Sequence, residues 1–344
     1  MVQVAIIGLG PVGGSLGLAL QEMAAGKGRR TPKAGANGRL PLLVVGYDPE
    51  PRVAGEALSR RAVGRVAYSL KEAVEEAGLV IIAQSGPAVR DTLQDIAPLL
   101  KPEAIVTDTS SNKVEVLRWA EELLPPEVSF VGGHPVLLPD REVNWESGLQ
   151  AARADLFQGA IYCIIPGPRA SSQAVDTVQD LAYLVGAEPF FLDALEHDGL
   201  LAGLNHLPYL LAAAMLATIG ASAAWRDLKL LADPAFRHLQ QLLSARPADF
   251  YQTCFSNRQP LLSWLDRLLA VLGEMRRELA GEEGGGEYLR RIVEKARAAG
   301  ADWQARRDER LKELEALGAQ IPSARQSLLS LFLPYGGRRR EERD

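Results

Sequence analysis

Short apolar runs alternate with amphipathic segments through the first half of the chain. Residues 2–7, 42–46, 79–83, 104–107, 129–131 and 161–165 read as strands, and the segments between them repeat their apolar positions every three to four residues, as helices do. Strands that are apolar throughout have both faces covered, so the alternation predicts a doubly wound α/β sheet of parallel strands with helices on each side. A last unit extends the series: 171–185 has helical spacing, Gly186 supplies a C-terminal cap, and 189–192 is one more strand. Past Asp193 the pattern becomes wholly helical and rich in Leu and Ala, with apolar residues at 261, 262, 265, 268, 269 and 272. The expected organisation is therefore an α/β domain over 1–192, an all-α domain over 193–280 that packs on another helix or subunit, and a charged extension over 281–344. In that extension a Gly- and Glu-rich connection precedes a helix over 288–317 with many Arg–Glu pairs, and the chain ends in an arginine-rich tail. The most apolar stretch, 200–219, contains Asn205, His206 and Pro208, so a buried helix is expected there and not a membrane span.

The first strand runs directly into Gly8-Leu9-Gly10-Pro11-Val12-Gly13, which opens a helix. In this context a G-x-G-x-x-G loop binds a dinucleotide: Gly8 makes the tight turn, Gly10 admits the pyrophosphate to the backbone, and Gly13 lets helix and strand pack closely. The second strand ends at Asp48, where the motif places its ribose-binding acid. The spacing to Asp48 is longer than usual because 24–41, with its glycines, prolines and basic residues, is an inserted loop at the sheet edge away from the cofactor. A carboxylate at Asp48 would meet a 2′-phosphate as a like charge, which favours NAD over NADP. Arg52, close by, would partly neutralise such a phosphate and leaves dual use open.

Composition narrows the class. With 344 residues, 47% of them hydrophobic, the chain has material for two cores. A net charge of -5 gives no electrostatic reason for nucleic acid or an anionic membrane as partner, so a small molecule is expected. Cys163 and Cys254 belong to no C-x-x-C pair, which excludes a disulfide framework or zinc ribbon and fits the cytoplasm. The opening residues read as strand and not as a signal peptide, so export is not expected. The four histidines show no metal-ligand spacing, and no metal is expected.

Chemistry beyond the cofactor must come from other residues. Ile105-Val106-Thr107-Asp108 leads into Thr109-Ser110-Ser111-Asn112-Lys113, and Val131-Gly132-Gly133-His134-Pro135 places a histidine at the next strand end, in the crevice where a cofactor lies. Glu196-His197-Asp198, Asn205-His206-Leu207-Pro208-Tyr209 and Trp225-Arg226-Asp227 open the helical half. A neutral imidazole at His134 suits the removal of an alcohol proton, and the planar guanidinium of Arg226 suits a carboxylate. Simpler roles exist for each: Ser111 as the cap of the helix that follows, His206 as a core histidine, Arg226 as the partner of Asp227. His197 and His238 read as structural.

From the glycine loop to about Glu278, the order and spacing of these motifs closely resemble the prephenate/arogenate dehydrogenase family. The resemblance implies a Rossmann domain followed by a helical domain that forms a homodimer, and NAD-dependent oxidative decarboxylation on the route to tyrosine. It implies that His134 bonds the ring hydroxyl and helps remove its proton, that Ser111 supports that histidine and the nicotinamide end, and that Arg226 binds a substrate carboxylate. Asn205, His206 and Tyr209 align with the family's substrate-binding Ser-His-Leu-Pro-His stretch. Asn205 stands there for a serine and Tyr209 for the second histidine, and Gln84-Ser85-Gly86-Pro87 replaces the family's usual strand end, so prephenate and arogenate both stay open. A β-hydroxyacid dehydrogenase would carry a catalytic lysine in the helical domain, and none occurs between Asn205 and Arg226. A non-catalytic NAD(H) sensor would need no proton acceptor.

Overall fold

The structure, a computed structural model, describes residues 2–26, 42–139, 141, 143–244, 250–281 and 286–317. Most of the expected insertion, the Gly- and Glu-rich connection and the tail lie outside the described residues. The chain divides into two compact units, the first running through Ala194 and the second starting at Leu195.

The first unit contains β1 (Val2–Ile7), α1 (Pro11–Ala24), β2 (Leu42–Tyr47), α2 (Pro51–Ser59), β3 (Arg65–Val66), α3 (Leu70–Val74), β4 (Ala77–Ile82), α4 (Pro87–Ile96), β5 (Ile105–Asp108), α5 (Lys113–Leu123), β6 (Ser129–Val136), β7 (Ile161–Pro166), α6 (Ser172–Leu184) and β8 (Glu188–Phe191). One sheet holds all the strands in the order β3-β2-β1-β4-β5-β6-β7-β8. Successive residues of β1 point to opposite cores: Val4 and Ile6 join a cluster with Leu16, Leu20, Val178 and Leu181 of α1 and α6. Ala5 and Ile7 join Ala73, Leu93 and Val116 of α3, α4 and α5. Both faces of the central strands are buried, which is why apolar residues follow one another along them without alternation.

Two details depart from the expectation. The sheet is parallel except at one seam, where β6 and β7 pair antiparallel. Among the described residues of the connection no α-helix joins these strands and the helical structure is the 3₁₀ turns of Trp145–Ala151, whereas a parallel return needs a crossover over one face. β6 also runs past the expected end at residue 131, because β7 keeps pairing with it as far as Val136↔Ile161 after β5 has ended at Thr107↔Val131. His134 is therefore a strand residue that projects beyond the end of β5. The two-residue β3 at the sheet edge is too short to leave a hydrophobic pattern.

Where β5 ends, a buried ion pair ties three elements together. Lys113 Nζ, at the start of α5, donates to both Asp108 carboxylate oxygens at 2.6 and 2.5 Å and to the Gly133 carbonyl at 2.8 Å. The Gly133 N–H donates back to Asp108 at 3.2 Å, and Ser110 donates to Asp108 through its N–H and its hydroxyl. Both charged side chains are fully buried, at 0% exposure. Gly133 is needed beside them, since a Cβ there would lie 2.6 Å from the Asp108 carbonyl oxygen and 2.8 Å from the Tyr162 ring.

The second unit is helical. One helix, Ala194–Gly220, comprises α7 (Ala194–Leu201), a π-turn at Ala202–His206 and α8 (Leu207–Gly220); α9 (Trp225–Leu228), α10 (Pro234–Ser244), α11 (Phe250–Ser256), α12 (Arg258–Ala280) and α13 (Glu287–Leu317) follow. The expected buried helix over 200–219 is not buried in the single chain: Ala212 is the one buried residue of α8 among those described. The small core of this unit gathers Ala202, Phe250, Cys254 and Leu261, while Leu204, Met215, Phe255 and Leu269 stay exposed. Helices this apolar on every side exceed what so small a core can cover.

Removing one partner of the Asp108–Lys113 pair leaves an uncompensated buried charge, whereas removing both does not. Lys113→Met is expected to lower stability in urea unfolding by about 3–5 kcal/mol. The double variant Asp108→Asn/Lys113→Met should recover a large part of that loss, and a double variant no more stable than Lys113→Met would contradict the role given to the pair.

Candidate active site

The glycine loop lies between β1 and α1, and its geometry follows from what each position touches. Gly8 adopts φ +91, and a Cβ on it would lie 2.7 Å from the Ala83 carbonyl oxygen. At Gly13 a Cβ would fall 1.9 Å from the Gly8 carbonyl oxygen, so helix and loop touch backbone to backbone. At Gly10 a Cβ would meet no protein atom within 4 Å. Gly10 is also the N-cap of α1 and, lacking a side chain, puts no capping bond on the first-turn amides; Pro11 begins the helix. A surface of backbone amides that a ligand can approach at van der Waals distance suits an anion such as a pyrophosphate. Val12 is half-buried beside the core, and Leu9 is fully buried in it.

Asp48 follows β2 and bonds directly to this loop. Its Oδ2 accepts the Leu9 N–H at 2.8 Å, and its Oδ1 accepts the Glu50 N–H at 3.0 Å. Each carboxylate oxygen has a further lone pair, so the same group that fixes the loop has capacity for ribose hydroxyls. The residues present thus fit a dinucleotide. Arg52 bonds Glu50 at 3.2 Å and is exposed. The turn after β4 abuts the loop as well: Gln84 lies against Gly8 and accepts the Thr92 hydroxyl at 2.6 Å, which puts the Gln84–Pro87 departure on the cofactor side.

The Asp108–Lys113 pair sets the second group of residues. Ser111 is half-buried in the bend between β5 and α5, and the N-cap of α5 is Asn112, not Ser111. His134 is half-buried on β6, directly across from Cys163 of β7 in the antiparallel register. Cross-strand partners of this kind share a face of the sheet. Burial lifts the Cys163 thiol to about 11, with the Lys113 charge acting the other way, so the group beside the imidazole is a neutral thiol near pH 7. Tyr162, fully buried under Gly133, has its phenol pushed above the usual range by burial and then by the Asp108 carboxylate. It too is neutral.

In the helical unit, Asn205 and His206 lie on the π-turn, and Tyr209 on the first turn of α8. Such turns are rare and frequent at functional sites. His206 is fully buried; its ring and that of Tyr209 pack edge-on against Phe250, with centroids at 5.4 and 4.5 Å. Arg226 stands apart from that cluster in the chain, exposed on the short α9. His197 and Asp198 form a buried pair at 2.8 Å. Sequence reasoning named Asp108 and Lys113 within a motif without giving either a role, read His197 as structural, and passed over Tyr162 and Asn257. For Asp108 and Lys113 a signal existed, an acid at a strand end five residues before a lysine at a helix start.

The sequence matches the family described as prephenate dehydrogenase, nucleotide-binding domain, over residues 36–190, and prephenate dehydrogenase, dimerization domain, over 193–295. The glycine loop precedes the first of these matches, so its assignment rests on its own geometry. Prephenate dehydrogenase of Bacillus subtilis is 28% identical over 280 residues, covering 81% of this chain and 70% of the relative. Cyclohexadienyl dehydrogenase of Zymomonas mobilis is 27% identical over 288 residues, covering 83% and 90%. Two solved structures share the fold. Arogenate dehydrogenase of Synechocystis has a TM-score of 0.68 at 21% identity, covering 88% of this chain and 100% of that one. Prephenate dehydrogenase of A. aeolicus, in complex with hydroxyphenyl propionate and NAD+, has a TM-score of 0.69 at 20% identity, covering 90% and 98%.

The two loop glycines separate binding from folding. Gly10→Ala is expected to keep the melting temperature within a few degrees while weakening dinucleotide affinity at least 10-fold, because the added methyl meets no protein. Gly13→Ala should unfold at clearly lower temperature. Calorimetric titration and thermal melts read both, and equal affinity for NAD in Gly10→Ala and the unmodified protein would refute the assignment of the loop.

Proposed function

The chain belongs to the prephenate dehydrogenase family, and from that premise we propose that it catalyses the NAD-dependent oxidative decarboxylation of prephenate or arogenate. The observation that carries this reading is a histidine, His134, held beyond the end of β5 by the Asp108–Lys113–Gly133 network, in a sheet whose glycine loop fits a dinucleotide.

The glycine loop and Asp48 would hold NAD, which when bound would supply the acceptor for the hydride on the ring carbon that bears the substrate hydroxyl. His134 accepts the hydroxyl proton as that hydride leaves, with Ser111 orienting the imidazole. The ring carboxylate then departs as CO2, and the electron pair of the broken C–C bond passes through the ring to the oxygen, which takes the proton back from His134 to become a phenol. The protein has only to position the ring, hold one proton and bind carboxylates. Arg226 offers two parallel donors to a carboxylate, and Asn205, His206 and Tyr209 supply further hydrogen bonds. Tyr209 in place of a histidine offers a hydroxyl and no cationic form, so in this reading the positive charge for the substrate comes from Arg226.

The exposed apolar surface of the second unit is, in this reading, covered by a second copy of the chain, in keeping with its match to the family's dimerization domain. A cytoplasmic location belongs to the same reading. An interface of this kind is hydrophobic and obligate.

Incubation with NAD and prephenate or arogenate should produce reduced cofactor, and no turnover with either acid would overturn the proposal. His134→Asn is expected to reduce kcat by about 10²–10⁴-fold, the usual range for loss of a general base, with cofactor affinity unchanged. Arg226→Ala should act mainly on KM, since a carboxylate grip serves ground state and transition state alike. Light scattering should give the mass of a dimer at micromolar concentration; a monomer there contradicts the covered surface.

A further inference from the structure

The π-turn that carries His206 is held by two residues of α12 and its N-terminal boundary. Trp264 packs against Gly203, where a Cβ would lie 2.6 Å from the indole, and its Nε1 donates to the Gly199 carbonyl at 3.0 Å. Asn257, the N-cap position of α12, is 4% exposed and makes no side-chain capping bond to its own helix. Its amide is used on the π-turn helix instead. Nδ2 donates to the Asp198 carbonyl oxygen at 2.7 Å and lies 3.4 Å from His206 Nδ1.

These two contacts fix a proton. A backbone carbonyl can only accept, so the amide atom facing Asp198 is the nitrogen, and the alternative amide orientation would set oxygen against oxygen. That same nitrogen faces the imidazole, and a donor there requires Nδ1 to be the acceptor. In the neutral ring the proton then resides on Nε2. We propose that Asn257 is a positioning residue that locks His206 in the Nε2–H tautomer, so that the buried ring offers a hydrogen-bond donor to a carboxylate or carbonyl of the substrate. The functional half of this inference rests on the reading of His206 as a substrate-binding residue.

Long-range ¹H–¹⁵N correlation spectra of the intact protein, recorded above the titration of its imidazoles, read the tautomer directly. With four histidines in the chain, the His206 signals are those lost in His206→Asn. A protonated Nε2 and an unprotonated Nδ1 are expected, and a ring protonated on Nδ1, or averaging between the two forms, overturns the lock. Asn257→Asp substitutes an acceptor for the donor and should place a proton on Nδ1. With Nε2 no longer donating in the neutral ring, KM should rise about 10-fold, the worth of one hydrogen bond to a charged group, while kcat stays within about twofold. An unchanged tautomer in Asn257→Asp also overturns the lock. A tautomer that moves with KM unchanged overturns the substrate role of His206 and not the lock. Because the first spectrum needs no substitution at 257, instability of that variant does not remove the test.

Discussion

The arrangement of the catalytic half depends on one buried ion pair. Asp108 ends β5, Lys113 begins α5, and their shared partner Gly133 lies on β6 just past the last β5–β6 ladder pair. Parallel ladder bonds stop there, so backbone pairing with β5 no longer fixes the continuation of β6. The carboxylate and the ammonium take over that task, bonding to both the N–H and the carbonyl of Gly133. A buried charge pair is weak as a source of stability but strict about geometry, because either charge left unmatched is costly. Strictness is what the proton-acceptor role proposed for His134, the next residue, needs. The antiparallel seam with β7 adds the other edge, and Cys163 and Tyr162 line it with groups that stay neutral near pH 7.

A similar economy governs the dinucleotide loop. Asp48 bonds to the Leu9 N–H, so the acid expected to bind ribose also pins the turn that receives the pyrophosphate. In the proposed reading, cofactor choice and loop shape are thereby linked through one side chain. In the helical unit the polar burial is again paired, His197 with Asp198 and Asn257 with the π-turn, although the surrounding core is small.

How much of this was legible in the sequence follows from range. Strands built mostly of consecutive apolar residues announce a sheet buried on both faces, and the glycine loop has local causes, each visible in the touching atoms of Gly8 and Gly13. The direction of β7 was not legible, because apolar runs carry no sign of orientation and the telling feature is the absence of a crossover helix. Nor was the exposure of α8: a helix apolar on all sides reads as buried, and only the count of neighbours available within one chain shows otherwise. His134, Ser111 and Arg226 stood out as chemical types in short motifs. Asn257 did not, since its meaning comes from a contact 51 positions away with His206. Long-range hydrogen bonds between unremarkable residue types leave no local pattern.

The central claim is that hydride loss and decarboxylation are one reaction on this scaffold. Measuring reduced cofactor and CO2 together, from prephenate or arogenate labelled at the ring carboxylate, tests it most directly. The account predicts one labelled CO2 for each reduced cofactor throughout the time course. Reduced cofactor accumulating with the label still in the organic product would contradict it and indicate a simple alcohol dehydrogenation.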